Sequence, residues 1–460
     1  MSSSRQRYDL TQGDIFRRLL FLALPVMGGQ FMQMAYNLAD IFWLGRLSSD
    51  AVVAASTAGM FLWMSMGLML MVRIGTEIGV AQNVGQGNFE AARGYAQTAF
   101  TLGVVLGIGF GAFMIFGRSV LVGFFNIPSQ QVIDDAMNFM AIAGFSIPLF
   151  YASGVVAGSF SGFGNTRLPF VVQSIGLASN IALSPILIFG AGLGVVGAAY
   201  SLVLARSIEF GLSVYCIKRY GNRPFDSFTL FARPQRLCLR DIFRWGLPIA
   251  VEITTFSSLS MVLSRMVAYW GVSAMAVQRV SFQIESLSWL VGAGFGTAAT
   301  AFIAQNYGAG KWSRIHGAFK TSLAAMSAWG LMISIFLFVF SERLIAVFLS
   351  CPDEIALGGQ LMRILALVQI PQSFEGAMAA CFRGRGVTIK PSTVSITCNS
   401  LRVVLAYFLN IWWGVIGIWV AICVGAGMRG VILLLWFLWD RRKLPNEDIA
   451  VRACLETRFG

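Results

Sequence analysis

Ala81-Gln82-Asn83-Val84-Gly85-Gln86-Gly87 returns 223 residues later as Ala304-Gln305-Asn306-Tyr307-Gly308-Ala309-Gly310. Other pairs keep the same step: Leu24-Pro25 with Leu247-Pro248, and Ile147-Pro148 with Ile370-Pro371, each at 223. Phe160-Ser161-Gly162-Phe163-Gly164 matches Phe382-Arg383-Gly384-Arg385-Gly386 at 222, and Gly194-Val195-Val196-Gly197 matches Gly414-Val415-Ile416-Gly417 at 220. Five matches in one order, with a slowly drifting offset, mean that the chain consists of two copies of one unit.

The residues between these motifs say what the unit is. Of 460 residues, 57% are hydrophobic and 12% charged, whereas a water-soluble domain carries about a quarter charged residues. A bilayer core of about 30 Å needs roughly 20 apolar residues per helix. Twelve stretches qualify, near 19–44, 52–80, 94–117, 134–160, 168–190, 195–217, 243–269, 274–304, 318–340, 356–382, 391–412 and 416–438. They are too long, and alternate too little, for barrel strands. Each copy holds six spans. Six is even, so both copies enter the membrane in the same sense and are related by an axis along its normal, a transporter arrangement with the substrate site where the halves meet. The expected fold is an all-α polytopic membrane protein of 12 transmembrane helices, in two six-helix lobes related by a pseudo-twofold. The expected division is a first lobe over 1–217, a cytoplasmic linker over 218–242 that is long enough for the lobes to rock, a second lobe over 243–440 and a cytoplasmic tail over 441–460.

Charge sets the orientation. The chain carries 34 Lys and Arg against 21 Asp and Glu, a net +13. With the N-terminus inside, the inner segments hold 24 of the basic residues and the outer loops 3, Arg46, Arg118 and Arg343. That asymmetry is the positive-inside pattern, so the excess reads as topology rather than nucleic-acid binding, and both termini are expected on the cytoplasmic side of the cell (inner) membrane. Residues 1–18 are polar and the apolar run behind them is too long for a cleavable leader. Seven scattered Cys without a CxxC read as apolar filler, and a single His316 builds no metal site.

Ionisable groups inside spans are costly and mark function by default. The acids are Asp40, Glu77, Glu209, Glu252, Glu285 and Glu375, and the bases are Arg73, Arg206, Arg265, Arg279, Arg363, Arg402 and Arg429. Glu77 lies four residues from Arg73 and Glu209 three from Arg206, spacings that make structural pairs on one helix face. Asp40 differs. Gln33, Tyr36, Asn37 and Asp40 recur at helical spacing as a polar stripe on an apolar helix, and the repeat places Leu263 opposite Asp40, so the acid belongs to one copy only. Burial favours the neutral form of a carboxyl group, so a proton and a substrate cation would compete for it. Pro25, near mid-helix, permits a bend in the same span. The competing assignment is an interfacial Asp40 paired with Arg46. Glu252, four residues after Pro248, could line a cavity or balance Arg244; Glu285 and Glu375 are further second-lobe candidates. Met34, Met60, Met64 and Met261 suit a cavity for flat cations, since thioethers adapt to varied shapes.

These features together resemble the multidrug and toxic compound extrusion (MATE) family: twelve spans in a 6+6 repeat, Leu-Pro early in spans 1 and 7, and the paired Gln-Asn motifs at 82–87 and 305–310. The resemblance covers about 14–440. The span-1 acid and Asn180-Ile181-Ala182-Leu183-Ser184-Pro185 are similar to the DinF-like branch. The resemblance implies a cation-coupled multidrug efflux antiporter that is not an enzyme, works as a monomer and has no cofactor beyond its coupling ion; it implies a coupling site at Tyr36, Asn37, Asp40, Asn180 and Ser184, and amphipathic cationic drugs and dyes as cargo. Many branch members carry Asp where this chain has Ser184, so the missing carboxylate favours H+ over Na+, although Na+ remains an alternative. The helix-10 Asp that accompanies a span-7 acid elsewhere in the family is replaced here by Gln372-Ser373-Phe374. A lipid-linked oligosaccharide or lipid flippase of related fold is the other transport reading, and it requires Arg265, Arg279, Arg363 and Arg402 to gather around an anionic cargo.

Overall fold

The computed structural model describes residues 8–125, 129–221 and 223–441. Arg5, Arg7 and nearly all of the expected 441–460 tail lie outside the described residues. Among those residues the elements are α1 (Ile15–Leu47), α2 (Ser49–Gly85), α3 (Phe89–Gly123), α4 (Gln130–Ala143), α5 (Ser146–Phe163), α6 (Arg167–Pro185), α7 (Gly194–Arg219), α8 (Arg236–Ala268), α9 (Val272–Gly308), α10 (Trp312–Val339), α11 (Ser341–Ala346), α12 (Pro352–Gly384), α13 (Ile389–Trp413) and α14 (Val415–Arg441). Eleven helices are long and apolar enough to cross a bilayer, and α4 with α5, bent by 45°, makes the twelfth span. α6 runs on into a π-helical turn, Ile186–Gly190. The expected all-α, twelve-span architecture is the one observed. Large apolar side chains stand bare on its surface, Phe116 85% and Phe124 84% exposed, as lipid-facing positions should.

The repeated motifs do the same mechanical work in both copies. Asn83 Nδ2 donates to the Gly79 carbonyl at 2.8 Å, and Asn306 Nδ2 to the Phe302 carbonyl at 2.8 Å. Gly87 and Gly310 then turn the chain with φ of 77° and 69°, a left-handed conformation that glycine adopts without a Cβ penalty. Gly194 and Gly414 start α7 and α14 with φ of 56° and 59°. Three residues later, Gly197 and Gly417 lie against the carbonyls of Leu187 and Leu409, where a side chain would collide.

The described chain divides into two compact units, one built on Leu24–Ala250 and the other on Thr11–Ala23 with the residues from Val251 onward. The divisions fall inside α1 and α8, each beside its Leu-Pro motif. In the first unit α2 packs on α3 and α5, and α6 on α7. Its core includes Phe61, Met114, Phe139 and Met140, and buried Tyr151 donates its hydroxyl to the Ser65 carbonyl at 2.7 Å. The link between α7 and α8 is no slack tether. Phe225 and Phe228 enter a core cluster with Phe100, Arg93 Nη1 donates to Ser227 Oγ at 2.7 Å, Thr101 Oγ1 donates to the Ala232 carbonyl at 3.1 Å, and the Gln235 amide donates to Thr98 Oγ1 at 3.2 Å. Sequence reading missed this because the anchoring partners lie more than a hundred residues upstream.

In the second unit α12 packs on α9, α10 and α14, and α13 on α14. Trp419, fully buried, donates its indole N–H to Gln278 Oε1 at 2.9 Å. Gly430 on α14 rests directly on the Pro371 carbonyl of α12.

Candidate substrate and coupling site

The polar stripe of α1 forms as its spacing implies. Gln33 Nε2 donates to Asn37 Oδ1 at 3.3 Å. Gln33, Tyr36 and Asp40 are half-buried and Asn37 is exposed. The expected alternative, an Asp40–Arg46 pair, is not what forms: Arg46 lies over the Phe42 ring at 5.1 Å, and among the described residues Asp40 makes no ion pair.

Tyr36 lines a small pocket in the first unit together with Gly176, Leu177 and Asn180 of α6 and Leu202, Ala205, Arg206 and Glu209 of α7. The α7 residues fall at i, i+3, i+4 and i+7, one face of a helix. Gly176 lets that face approach, since a Cβ there would lie 3.1 Å from Glu209 Cβ. Arg206 Nη1 meets Glu209 Oε2 at 2.7 Å, and its guanidinium carbon lies 4.2 Å from the centre of the Phe150 ring. The pocket's arginine is therefore already matched by an acid, which leaves Asp40 as a carboxylate without a base of its own. Tyr36 lies one turn before Asp40 on α1 and shares the pocket lining with Arg206.

Asn180 and Ser184 are 2% and 1% exposed. Ser184 Oγ donates to Asn180 Oδ1 at 3.2 Å and lies 2.9 Å from Ser201 Oγ. Asn180 Nδ2 is buried without a hydrogen-bond partner, an unspent donor at the pocket wall. The groups assembled here are the Asp40 carboxyl, the paired Arg206 and Glu209, a phenol, amides and hydroxyls. Sequence reading missed Ser201 and treated Arg206 and Glu209 as purely structural; their place beside Tyr36 is a tertiary fact, and only their spacing on one helix face hinted at it.

Other candidates stand elsewhere. Met34 is half-buried, Met60, Met64 and Met261 are 44%, 52% and 60% exposed, and none lines the Tyr36 pocket. In the second unit Glu252 Oε2 accepts from Ser392 Oγ at 2.7 Å and pairs with Arg383 at 3.6 Å. Glu285, 9% exposed, accepts from Gln369 Nε2 at 3.4 Å, and Gln369 Oε1 accepts from Ser288 Oγ at 3.0 Å. Glu375 pairs with Arg429 at 3.1 Å. The four arginines that a flippase reading would gather are dispersed: Arg265 and Arg279 are exposed, Arg363 pairs with Glu342 at 2.8 Å, and only Arg402 is buried.

The comparisons with known proteins agree with this architecture. The MatE family model matches residues 25–186 and 248–408, two segments that begin 223 residues apart, the step of the internal repeat. The chain is 26% identical over 450 residues to "Probable multidrug resistance protein NorM" of Thermotoga maritima, covering 95% of each chain. It is 20% identical to "Multidrug export protein MepA" of Staphylococcus aureus, covering 96% of this chain and 98% of that one. Among solved structures, MATE in the straight conformation matches with a TM-score of 0.89 at 22% identity, over 96% of this chain and 99% of that chain. An outward-facing MATE transporter of the MOP superfamily matches with a TM-score of 0.89 at 22% identity, over 97% and 99%. The family model spans well over half of the chain, and the protein belongs to the MatE family: it is a multi-pass membrane transporter, not an enzyme.

Proposed function

We propose that this protein is a multidrug efflux antiporter that expels amphipathic cations in exchange for protons, with Asp40 as the group for which the two compete. The observation that carries the reading is the pairing pattern of the first unit: Arg206 is matched by Glu209 at 2.7 Å, whereas Asp40 makes no ion pair among the described residues. A carboxylate without a fixed counter-ion, next to Tyr36 and its pocket, is free to take a proton or a cationic cargo. Charged, it attracts the cargo; neutral, it releases it, and the sum of the two steps is exchange. Tyr36, Asn37, Asn180 and Ser184 orient the carboxyl and supply hydrogen bonds to it or to water. The relatives named for multidrug resistance and multidrug export fit that cargo.

Protons fit the site better than Na+. Na+ takes several hard oxygen ligands, and with Ser184 supplying a hydroxyl and Glu209 paired with Arg206 the site has one unpaired carboxylate. Gln33, Met34, Met60 and Met64 are assigned to the cargo path of the first lobe (1–217). Glu252, Met261 and Glu285 are assigned to that of the second (243–440). The protein works as a monomer in the cell membrane, with both termini and the 218–242 linker in the cytoplasm; the concentration of Lys and Arg in those segments supports that orientation.

The test is dye efflux from inverted vesicles under an imposed pH gradient or an imposed Na+ gradient, for wild type and Asp40→Asn. Efflux driven by the pH gradient and lost in Asp40→Asn is expected. Efflux driven by Na+ alone, or unchanged by Asp40→Asn, refutes the assignment.

A further inference from the structure

The internal repeat gives each first-lobe site residue a counterpart in the second lobe. At the step of 223, Gln33 falls on Phe256, Asn37 on Ser260 and Asp40 on Leu263. At 222, the step that Pro169 and Pro391 also keep, Asn180 falls on Arg402; at 220, the step of Gly194 and Gly414, Glu209 falls on Arg429. Three of these counterparts meet. Arg402 Nη2 donates to Ser260 Oγ at 2.9 Å, and its guanidinium carbon lies 4.9 Å from the centre of the Phe256 ring. Where the first lobe has two acids and an amide, the second has an aliphatic residue and two arginines, so the polarity of the position is inverted.

No acid pairs with Arg402 among the described residues. Arg402 and Arg429 are each 5% exposed. Glu375 pairs with Arg429 at 3.1 Å, Glu252 with Arg383 at 3.6 Å, and Glu285 is held by Gln369 at 3.4 Å. Arg402 keeps only a hydroxyl and a ring, and forms no ion pair among the described residues. The Nε–H groups of Arg383, Arg402 and Arg429 are all buried without an acceptor. The buried oxygens left without a partner in this lobe, Ser281 Oγ, Ser322 Oγ, Gln372 Oε1 and Asn399 Oδ1, are all neutral. Buried charged donors that lack an acceptor are costly, and a planar guanidinium matches the two oxygens of a carboxylate or phosphate. Trp289, with its ring centre 6.2 Å from that of Phe256, extends an apolar wall beside the charge.

We propose that Arg402, with Ser260 and Phe256, forms an oxyanion site in the second lobe that takes a carboxylate or phosphate carried on an apolar body. It does not depend on the Asp40 assignment. The probe is octyl phosphate, titrated by calorimetry into full-length protein in phosphatidylcholine nanodiscs, with octanol as the uncharged control. Saturable binding of octyl phosphate but not octanol is expected, weaker by about tenfold or more in Arg402→Gln, because a charge-assisted hydrogen bond is lost. Arg402→Lys keeps the charge without the fork and should fall between. Asp40→Asn should bind like wild type, which separates failure here from failure of the proton assignment. Repeating the titration in nanodiscs containing phosphatidylglycerol identifies the source: a weaker isotherm means that a lipid headgroup competes for the site, and an unchanged one means a soluble oxyanion. No saturable binding in wild type, equal binding of octanol, or equal affinity in folded Arg402→Gln or Arg402→Lys overturns the proposal.

Discussion

Asn180 and Ser184 stand one turn apart on α6 and share a hydrogen bond of 3.2 Å, which Ser201 extends from α7 at 2.9 Å. This short chain fixes the Asn180 carbonyl oxygen and leaves Nδ2 as the donor available at the pocket wall. Ser184→Ala removes the middle link and should cost about 1 kcal/mol of stability, read as a lowered Tm in detergent. Ser184→Asp adds a second carboxylate, and vesicle efflux in that variant should begin to respond to a Na+ gradient; a response to the pH gradient alone would contradict the reasoning on coupling ions.

Gly176 sets the width of the Tyr36 pocket, because its Cβ would lie 3.1 Å from that of Glu209. Gly176→Leu should fill the pocket and push α7 from α6. Overpacking of this kind costs about 1–3 kcal/mol, but the larger expected effect is loss of dye efflux with membrane insertion preserved. Efflux and surface expression measured together would check this.

Two ion pairs of the second unit differ in setting. The side chains of Arg429 and Glu375 are 6% and 20% exposed, whereas those of Arg363 and Glu342 are 47% and 53% exposed. Glu375→Gln strands a buried guanidinium and should cost about 3–5 kcal/mol. Glu342→Gln should cost about 0–1 kcal/mol. Thermal unfolding of the two variants side by side should show that order.

Gly430 owes its identity to the Pro371 carbonyl beneath it. Any side chain there must part α14 from α12 and draw Arg429, its neighbour, away from Glu375. Gly430→Ala should therefore lower stability by about 1–3 kcal/mol or more, and combining it with Glu375→Gln should cost less than the sum of the two, because both act on one contact.

The segment between α7 and α8 is fastened to α3, so its amides should resist hydrogen exchange. Thr98→Val removes the acceptor of the Gln235 amide, a bond worth about 1 kcal/mol. Exchange of the Gln235 amide should then quicken by about fivefold, while the helices keep their protection.

The twelve spans, the duplication and the polar stripe of α1 were legible because each rests on a local property: run length, motif recurrence or helical spacing. The Gln33–Asn37 bond follows directly from an i, i+4 separation. What stayed hidden needs two distant stretches at once. Nothing local to Ser201 points to Ser184, and nothing local to Thr98 or Thr101 shows that the linker will lie on them. The Asp40–Arg46 alternative illustrates the same limit, since proximity in sequence allowed a pair that the aromatic face of Phe42 takes instead. Arg402 looked like one of four similar arginines until burial separated it from Arg265, Arg279 and Arg363.

The π-helical turn at Ile186–Gly190 has a counterpart in arithmetic. Before it, Pro169 and Pro391 stand 222 apart; after it, Gly194 and Gly414 stand 220 apart, and α13 runs unbroken to Trp413. The first copy thus carries two surplus residues across this stretch, and a widened turn houses more chain per revolution than an α-helix. The surplus lies just beyond Ser184. Descent from one ancestral half did not keep the halves interchangeable: the backbone was lengthened beside the very residues that distinguish the first copy, so specialisation here reached the main chain as well as the side chains.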